Sequence, residues 1–301
     1  MGDCYLIAEL NAIKHTKDGD KILSRNIQKT EKGLIVTLPG AVMKKKQIES
    51  SGKKTNITGV YYIPNETLEK AKAQSGGAYA RGDLDVIALE LAIEAYYAEA
   101  RGAIQSNLAD AISDITGASV SNKTDYINGG TSEEVEFLLT GVNNNMSVKK
   151  NQTMLFDDTK YKRISRRELD NIPTQKPTKK PNTSNITKKL DSLQGNEHKF
   201  AIKAYVTCAK NGKDGVTKAG GNHAVTVLKI TNDYVYIENP WHLQEEDSVQ
   251  VIPRKEFEAM TYQLNATEMD ITSINDNYRK INYIKELDIE QLSKIIKSFY
   301  K

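Results

Sequence analysis

The sequence contains very few of the residues that usually bind metals or form disulfides. Its 301 residues include only two cysteines, Cys4 and Cys208, and four histidines. Two cysteines exclude a disulfide framework and a zinc site built from several cysteines. The sequence also has no His-Glu-x-x-His stretch of a zinc protease and no Gly-x-Ser-x-Gly stretch of a serine hydrolase. Few side chains are therefore left as candidates for polar chemistry.

An excess of one charge and long apolar runs are also missing. Lys and Arg number 42 against 39 Asp and Glu, a balance too even to predict nucleic acid or an anionic membrane surface as a partner. No apolar run is long enough to span a membrane. The first residues lack the layout of a secretory signal, which favours a cytoplasmic location unless an upstream segment is missing. The composition is that of a globular protein whose oligomeric state does not follow from the sequence.

The first part of the chain is patterned mainly as helices. Apolar residues at helical spacing follow Asp3, which predicts a helix with Asp3 as its N-cap. The strongest helical pattern extends from Asp83 to Ala100. Thr131 or Ser132 is expected to cap a further helix.

Two β-like runs interrupt this helical region. They lie at 34–38 and 57–63, and a Lys-rich polar stretch at 44–55 separates them. The pattern predicts a hairpin that packs on the helices and has the polar stretch as its loop.

The sequence predicts an α+β protein in three parts. Residues 1–142 form a helical lobe with a small β insertion. Residues 143–197 are poor in apolar side chains and contain prolines among lysines, which predicts a linker or insert with an exposed loop at 174–185. Residues 198–301 form an antiparallel β lobe that ends in a helix from Asp288.

Alternating apolar residues in the last part predict four strands, at 200–207, 223–231, 234–238 and 249–252. The second and third of these are joined by a turn around position 231. Because 223 and 239 sum to twice 231, His223 and Asn239 are expected to lie opposite each other or one residue out of register. Their side chains are then close enough for a hydrogen bond.

Cys4 and the His223–Asn239 pair are the candidates for nucleophilic chemistry. The N–H groups and dipole at the start of a helix favour the thiolate form of Cys4. An isolated cysteine is more often a small buried hydrophobe, as we expect for Cys208. An amide that accepts a hydrogen bond from one imidazole nitrogen, however, leaves the other nitrogen available to take the proton of a thiol.

Three segments resemble the catalytic motifs of calpain-type, papain-like cysteine proteases, in the order in which that family has them. They are Gly2-Asp3-Cys4-Tyr5-Leu6, Gly221-Asn222-His223-Ala224-Val225 and Asn239-Pro240-Trp241. Tyr5 stands where the family usually has Trp, Val225 where it has Tyr, and Asn222 where it often has Gly. Weaker similarity extends the resemblance over roughly residues 1–262.

The resemblance implies a papain-like fold and endopeptidase activity on a protein or peptide substrate. Cys4 would be the nucleophile and His223 its general base and then general acid. Asn239 would orient the imidazole, and Trp241 would shield the bond between them from water. These roles are expectations that come from the family.

The resemblance also implies residues that hold the substrate main chain in an extended form, namely Gly129, Gly130 and Asn222. Calcium is expected for animal members of the family, but the acidic stretches at 157–158 and 245–247 are too short to match its calcium loops. No other cofactor is implied.

One family feature falls outside the sequence. Papain-like enzymes use a Gln six residues before the cysteine as an oxyanion donor, and that position would precede Met1. We expect either that the chain continues upstream or that the protein is a weakened or inactive protease that binds peptides. A transfer or amide-hydrolysis reaction on the same triad is the other alternative, although transglutaminases have Asp where this chain has Asn239.

Overall fold

The structure, a computed structural model, describes residues 4–73, 83–104, 108–122, 130–178, 184–211, 217–243 and 245–281. Over these ranges the chain forms eleven α-helices and twelve β-strands, which confirms the predicted α+β class. No helix within them is long and apolar enough to cross a membrane. The elements group into two compact units. The helical unit contains Asp20–Asn143 and the described part of Asp270–Lys301, and the sheet unit contains Cys4–Gly19 and Asn144–Met269.

Of the eleven helices in the described ranges, seven belong mainly to the helical unit. They are α2 (Gly19–Ser24), α3 (Pro39–Ser50), α4 (Asn65–Ala73), α5 (Leu84–Arg101), α6 (Ala109–Thr116), α7 (Ser132–Thr140) and α11 (Ile271–Ile281). The helix predicted from Asp83 is α5, and the residue after its end, Gly102, has the left-handed conformation (φ 69°) that glycine adopts without strain. The predicted cap Thr131 accepts a hydrogen bond from the main chain of Glu134 at the start of α7.

A small antiparallel sheet completes the helical unit. It has the order β1 (Ile27–Lys29), β2 (Gly33–Thr37) and β3 (Val60–Pro64), and a short parallel pair joins β4 (Ala103–Ile104) to β5 (Ser121–Asn122). The predicted pairing of the two β-like runs is confirmed, because β2 pairs with β3. The predicted polar loop at 44–55 is wrong up to Ser50, which ends α3. Pro39 suits the first turn of this helix, and Lys44 contacts Tyr96 and Glu134 within the unit.

Within the described residues, the sheet unit is built on seven antiparallel strands in the order β6-β12-β8-β9-β10-β11-β7. The strands are β6 (Met146–Lys149), β7 (Arg163–Ile164), β8 (Phe200–Asn211), β9 (Thr217–Ile230), β10 (Tyr234–Glu238), β11 (Val249–Pro253) and β12 (Thr261–Glu268). Its helices are α1 (Cys4–His15), α8 (Arg166–Asp170), α9 (Asn185–Leu193) and α10 (Arg254–Met260). All four predicted strands of the last part are present, whereas β12 was not predicted.

The two units differ from the predicted boundaries 1–142, 143–197 and 198–301. Residues 144–178 and 184–197 are part of the sheet unit, because they contribute β6, β7, α8 and α9 and because most of their few apolar side chains are buried or packed against its cores. Residues 174–178 are exposed or half-buried without helix or strand, as predicted. The helix predicted from Asp288 lies outside the described residues.

Helix α1 belongs to the sheet unit and covers one face of its sheet. Ile202 and Ala204 of β8 point into a large core on the other face, so the intervening Lys203 points toward α1. Lys203 and Glu9 of α1 form an ion pair at 2.7 Å, and neither side chain has exposed surface. The hydroxyl of Thr226 donates to the main-chain carbonyl of Ala8 at 2.8 Å. The nucleophile candidate is thus carried by a helix fixed to the strands rather than by a separate helical lobe.

Replacing Glu9 with Gln should lower the free energy of unfolding by about 3–5 kcal/mol, because it removes the carboxylate charge that pairs with the buried Lys203 ammonium. Urea denaturation would measure the loss. Glu9→Leu combined with Lys203→Met should recover most of it, since no buried charge remains.

Lys160→Met is the matched control. It breaks the 2.7 Å ion pair with Glu256, whose side chains are 47% and 33% exposed. A half-exposed pair of this kind contributes at most about 1 kcal/mol. Equal losses in Glu9→Gln and in this control would contradict a buried role for the Glu9–Lys203 pair.

Candidate active site

The strand pairing brings His223 and Asn239 to the same face of the large sheet. His223 lies in β9 and Asn239 directly follows β10. Near the turn, residues of these strands pair as Val235 with Ile230, but after a bulge they pair as Ile237 with Val227. The pairing therefore differs by two residues from the predicted register. Because side chains alternate, a two-residue difference keeps His223 and Asn239 on one face.

The two side chains form the predicted hydrogen bond. Nε2 of His223 lies 2.8 Å from Oδ1 of Asn239, and both residues are almost fully buried. An amide oxygen only accepts, so Nε2 carries the proton and donates it. The lone pair on Nδ1 is then the proton acceptor of the ring.

Two aromatic rings enclose the imidazole. The indole of Trp241 is stacked on His223 with ring centres 4.0 Å apart, and Phe156 is stacked at 6.4 Å. Trp241 is itself 37% exposed, so the indole separates the imidazole from solvent. This burial is the largest influence on the imidazole and lowers the pKa of His223 to about 4, although the hydrogen bond to Asn239 and the charge of Asp158 act in the opposite direction. The ring is therefore neutral at pH 7 and able to accept a proton.

Asp158 is a neighbour of the pair that sequence reasoning missed. Its Oδ1 accepts a hydrogen bond from Nδ2 of Asn239 at 2.7 Å. Nε2 of Gln250 donates to the same oxygen at 2.9 Å, and Nε2 of His242 lies 2.8 Å from Oδ2. The only sequence signal was the position of His242 directly after Trp241. Asp158 lies in the segment that was expected to be a linker.

Cys4 is half-buried at the first position of α1 and forms no disulfide. Two hydrogen bonds show that the helix runs along β9. Nε2 of His15 donates to the carbonyl of Leu228 at 2.7 Å, and the carbonyl of Ala8 accepts from the hydroxyl of Thr226. The first turn of the helix is therefore directed toward the part of β9 that precedes Thr226, and this part includes His223.

Further observations agree with this direction. Residues of α1 lie against the short 3-10 turn Pro240–His242, which contains Trp241. Burial and then the charges of Cys4 and Asp158 raise the pKa of Cys208 to about 12. Helix α1 covers one face of the sheet and His223 points to the other, and the expected chemistry requires a contact between the Cys4 sulfur and Nδ1 of His223. That contact stays a prediction.

The expected substrate-binding residues lie in different units. Asn222 is an exposed residue of β9, and its Oδ1 accepts from the hydroxyl of Thr207 at 3.3 Å. Gly130 is half-buried in the helical unit, directly before the cap Thr131. Gly129 lies outside the described residues. A role for these positions in substrate binding stays a prediction.

The residues at the site do not fit a calcium ion. Each oxygen of the Asp158 carboxylate already accepts from a side-chain donor. In the part of the chain that the structure describes, no group of three or more His, Cys, Asp or Glu side chains is arranged to hold a metal.

Comparison with known proteins finds no matching family model, and neither a curated protein nor a solved structure is significantly similar to the chain. The interpretation of the site therefore depends on its own geometry and chemistry.

The buried imidazole should make stability depend on pH. In the unfolded chain His223 binds a proton below about pH 6.5, whereas in the folded protein it does so only below about 4. The unfolded state binds more protons between these values, so the His223 contribution is full above 6.5 and is lost as pH falls to 4. The loss is up to about 3 kcal/mol.

This dependence is isolated by comparing the protein with His223→Gln, which keeps a side-chain N–H donor for Asn239. The difference between their free energies of unfolding, measured in urea at several pH values, should shrink from pH 7 to pH 4. A difference that is constant over this range would show that the folded imidazole titrates normally.

Proposed function

We propose that the protein is a calpain-like, papain-type cysteine endopeptidase that hydrolyses peptide bonds through Cys4, His223 and Asn239. The observation that carries the proposal is the 2.8 Å bond from Nε2 of His223 to Oδ1 of Asn239 beneath the Trp241 indole. This bond fixes which imidazole nitrogen acts as the base. Protein or peptide is the substrate class.

The reaction follows from the proton positions in the site. Nδ1 of neutral His223 takes the proton of the Cys4 thiol as the sulfur attacks the carbonyl carbon of the peptide. When the tetrahedral intermediate collapses, the imidazolium gives this proton to the leaving amine, and an acyl thioester remains on Cys4. Water then attacks the thioester with His223 again as base, which releases the carboxylic acid and restores the thiol.

Asn239 supports both halves of the reaction. It holds the imidazole in one orientation and accepts from Nε2 in the neutral and in the charged ring alike. Trp241 and the buried surroundings keep water from competing for this bond, which is stronger in a dry site. Gly129, Gly130 and Asn222 are proposed to pair with the extended main chain of the substrate.

A peptide-binding protein without cleavage activity is the second candidate function. It is favoured by the low pKa of His223, about 4, because a base this weak is poorly matched to proton transfer near neutral pH. The reactivity of Cys4 separates the two candidates.

Cys4 should be alkylated by iodoacetamide much faster than Cys208 near neutral pH. With a pKa of about 12, Cys208 is a thiolate in fewer than about one molecule in 10⁴ at pH 7.5. Mass spectrometry of time points would give both rates, and His223→Ala should slow the labelling of Cys4 only. If Cys208 reacts as fast as Cys4, an activated nucleophile at position 4 is excluded.

Cys4→Ala should abolish hydrolysis of unfolded, fluorescently labelled casein, by about 10³-fold or more, without loss of folding stability. Cys208→Ala is the matched control and should keep its activity, because that thiol is structural in this proposal. Asn239→Ala should lower turnover less than Cys4→Ala does, since orientation supplies only part of the catalysis. The assay is run with and without added calcium.

Full activity in Cys4→Ala would overturn the proposed nucleophile. Activity that is lost in Cys208→Ala but kept in Cys4→Ala would assign the chemistry to the other thiol.

A further inference from the structure

The hydrogen bonds of the site continue beyond Asn239, on the side away from His223. Asn239 donates from Nδ2 to Oδ1 of Asp158 at 2.7 Å. Asp158 is held in turn, because Gln250 donates to its side chain at 2.9 Å and to its main-chain carbonyl at 3.0 Å, and His242 lies 2.8 Å from its other carboxylate oxygen. The carboxylate is thus tied to β11 through Gln250 and to the Pro240–His242 turn through His242.

Two neighbours together determine which way the Asn239 amide faces. A carboxylate can only accept, so the amide atom that faces Asp158 must be the nitrogen. The main-chain N–H of Trp241 can only donate, and it lies 3.1 Å from Oδ1. With both ends of the amide assigned, the oxygen is the atom presented to His223, which selects the tautomer with the proton on Nε2.

We propose that Asp158 is a positioning residue, which holds the Asn239 amide with its oxygen toward His223 and so keeps Nδ1 as the basic nitrogen of the imidazole. Its importance for turnover depends on the proposed peptidase function, but its effect on the tautomer does not. Without the carboxylate, the weaker bond from the Trp241 main chain is the hydrogen bond among the described residues that still favours this amide orientation.

A second set of contacts restrains the residues that hold Asp158. Nδ1 of His242 lies 2.6 Å from Oε1 of Glu245 and 2.8 Å from Nη1 of Arg163, and Arg163 also donates to Glu245. His242 therefore has a carboxylate at each ring nitrogen. These contacts restrain the His242 ring that reaches Asp158. The segment that contains Asp158, between β6 and β7, forms neither a helix nor a long strand, and main-chain hydrogen bonds of Phe156 with Thr207 and Ala209 hold it on the sheet.

Asp158→Ala tests the proposal, with Asp157→Ala as the matched control. Asp157 is exposed, and its carboxylate bonds only to Thr159 among the hydrogen bonds of the described residues. Asp158→Ala should lower kcat about 10- to 100-fold, because an imidazole held less firmly spends less time in the reactive geometry. KM should change less than about twofold in both variants, and kcat should be unchanged in Asp157→Ala.

The imidazole tautomer gives a readout that does not need enzyme activity. Nitrogen NMR shifts of His223 in the wild-type protein at pH 7.5 should show the proton on Nε2. Asp158→Ala should show a mixture of tautomers, whereas Asp157→Ala should match the wild type. A wild-type ring with its proton on Nδ1, or an unchanged tautomer in Asp158→Ala, would overturn the proposal.

Exchanging the two functional groups tests the contact itself and guards against a variant that fails to fold. Asn239→Asp alone places two carboxylates 2.7 Å apart and should lower kcat by at least about 10-fold. Adding Asp158→Asn restores a donor and an acceptor across the contact, so kcat should recover at least about tenfold over the single variant. A double variant no better than Asn239→Asp would contradict the positioning role.

The outcomes also separate this inference from the proposed function. If the His223 tautomer changes in Asp158→Ala but neither the wild-type protein nor this variant cleaves casein, the positioning role stands and the peptidase proposal fails. If casein cleavage depends on Cys4 but neither the tautomer nor kcat changes in Asp158→Ala, the peptidase proposal stands and the positioning role is wrong.

Discussion

The site depends on how the helix that begins at Cys4 is docked on the sheet, and the buried ion pair between Glu9 and Lys203 constrains that docking. Removing two charges from water costs free energy that their attraction recovers only in good geometry. A helix shifted by one turn would separate the two buried charges from each other. We therefore interpret the pair as selecting one docking arrangement rather than as a large source of stability. This docking arrangement determines where Cys4, the first residue of the helix, lies on the sheet.

A second constraint is the bulge in β9 at Leu228, between the residues that pair with Tyr236 and Ile237. If the pairing near the turn continued without it, Asn239 would fall opposite Thr226, which faces α1. The extra residue moves Asn239 opposite Val225 and so onto the face of His223. The position of the Asn239 amide next to the His223 imidazole thus depends on one inserted residue, so the site is sensitive to strand register.

The sequence predicted the elements with strong periodicity and the pair of side chains next to a short turn. Helix α5 and the strands from 200 to 252 have regular apolar spacing, and Asn239 lies close to His223 along the hairpin. The bulge was not predictable, because Leu228 fits an apolar strand whether or not it pairs. Helix α3 was not predicted, because a run of lysines is typical of an exposed loop. The sequence does not show that Lys44 donates a hydrogen bond to the Tyr96 hydroxyl within the helical unit. Asp158 has no motif, and only the tertiary structure brings it to Asn239.

The enclosure of His223 has two opposing consequences. Stacking by Phe156 and Trp241 keeps water from the bond to Asn239, but the same burial disfavours the imidazolium that proton transfer creates. Negative charge nearby compensates, because the carboxylate of Asp158 raises the pKa of the ring. In the proposed mechanism the thiolate formed at Cys4 would add a second compensating charge when the proton arrives. A buried imidazole of this kind therefore needs a carboxylate that is close enough to stabilise the imidazolium but does not itself contact the ring. Asp158 satisfies both requirements, because it binds the Asn239 amide on the side away from His223.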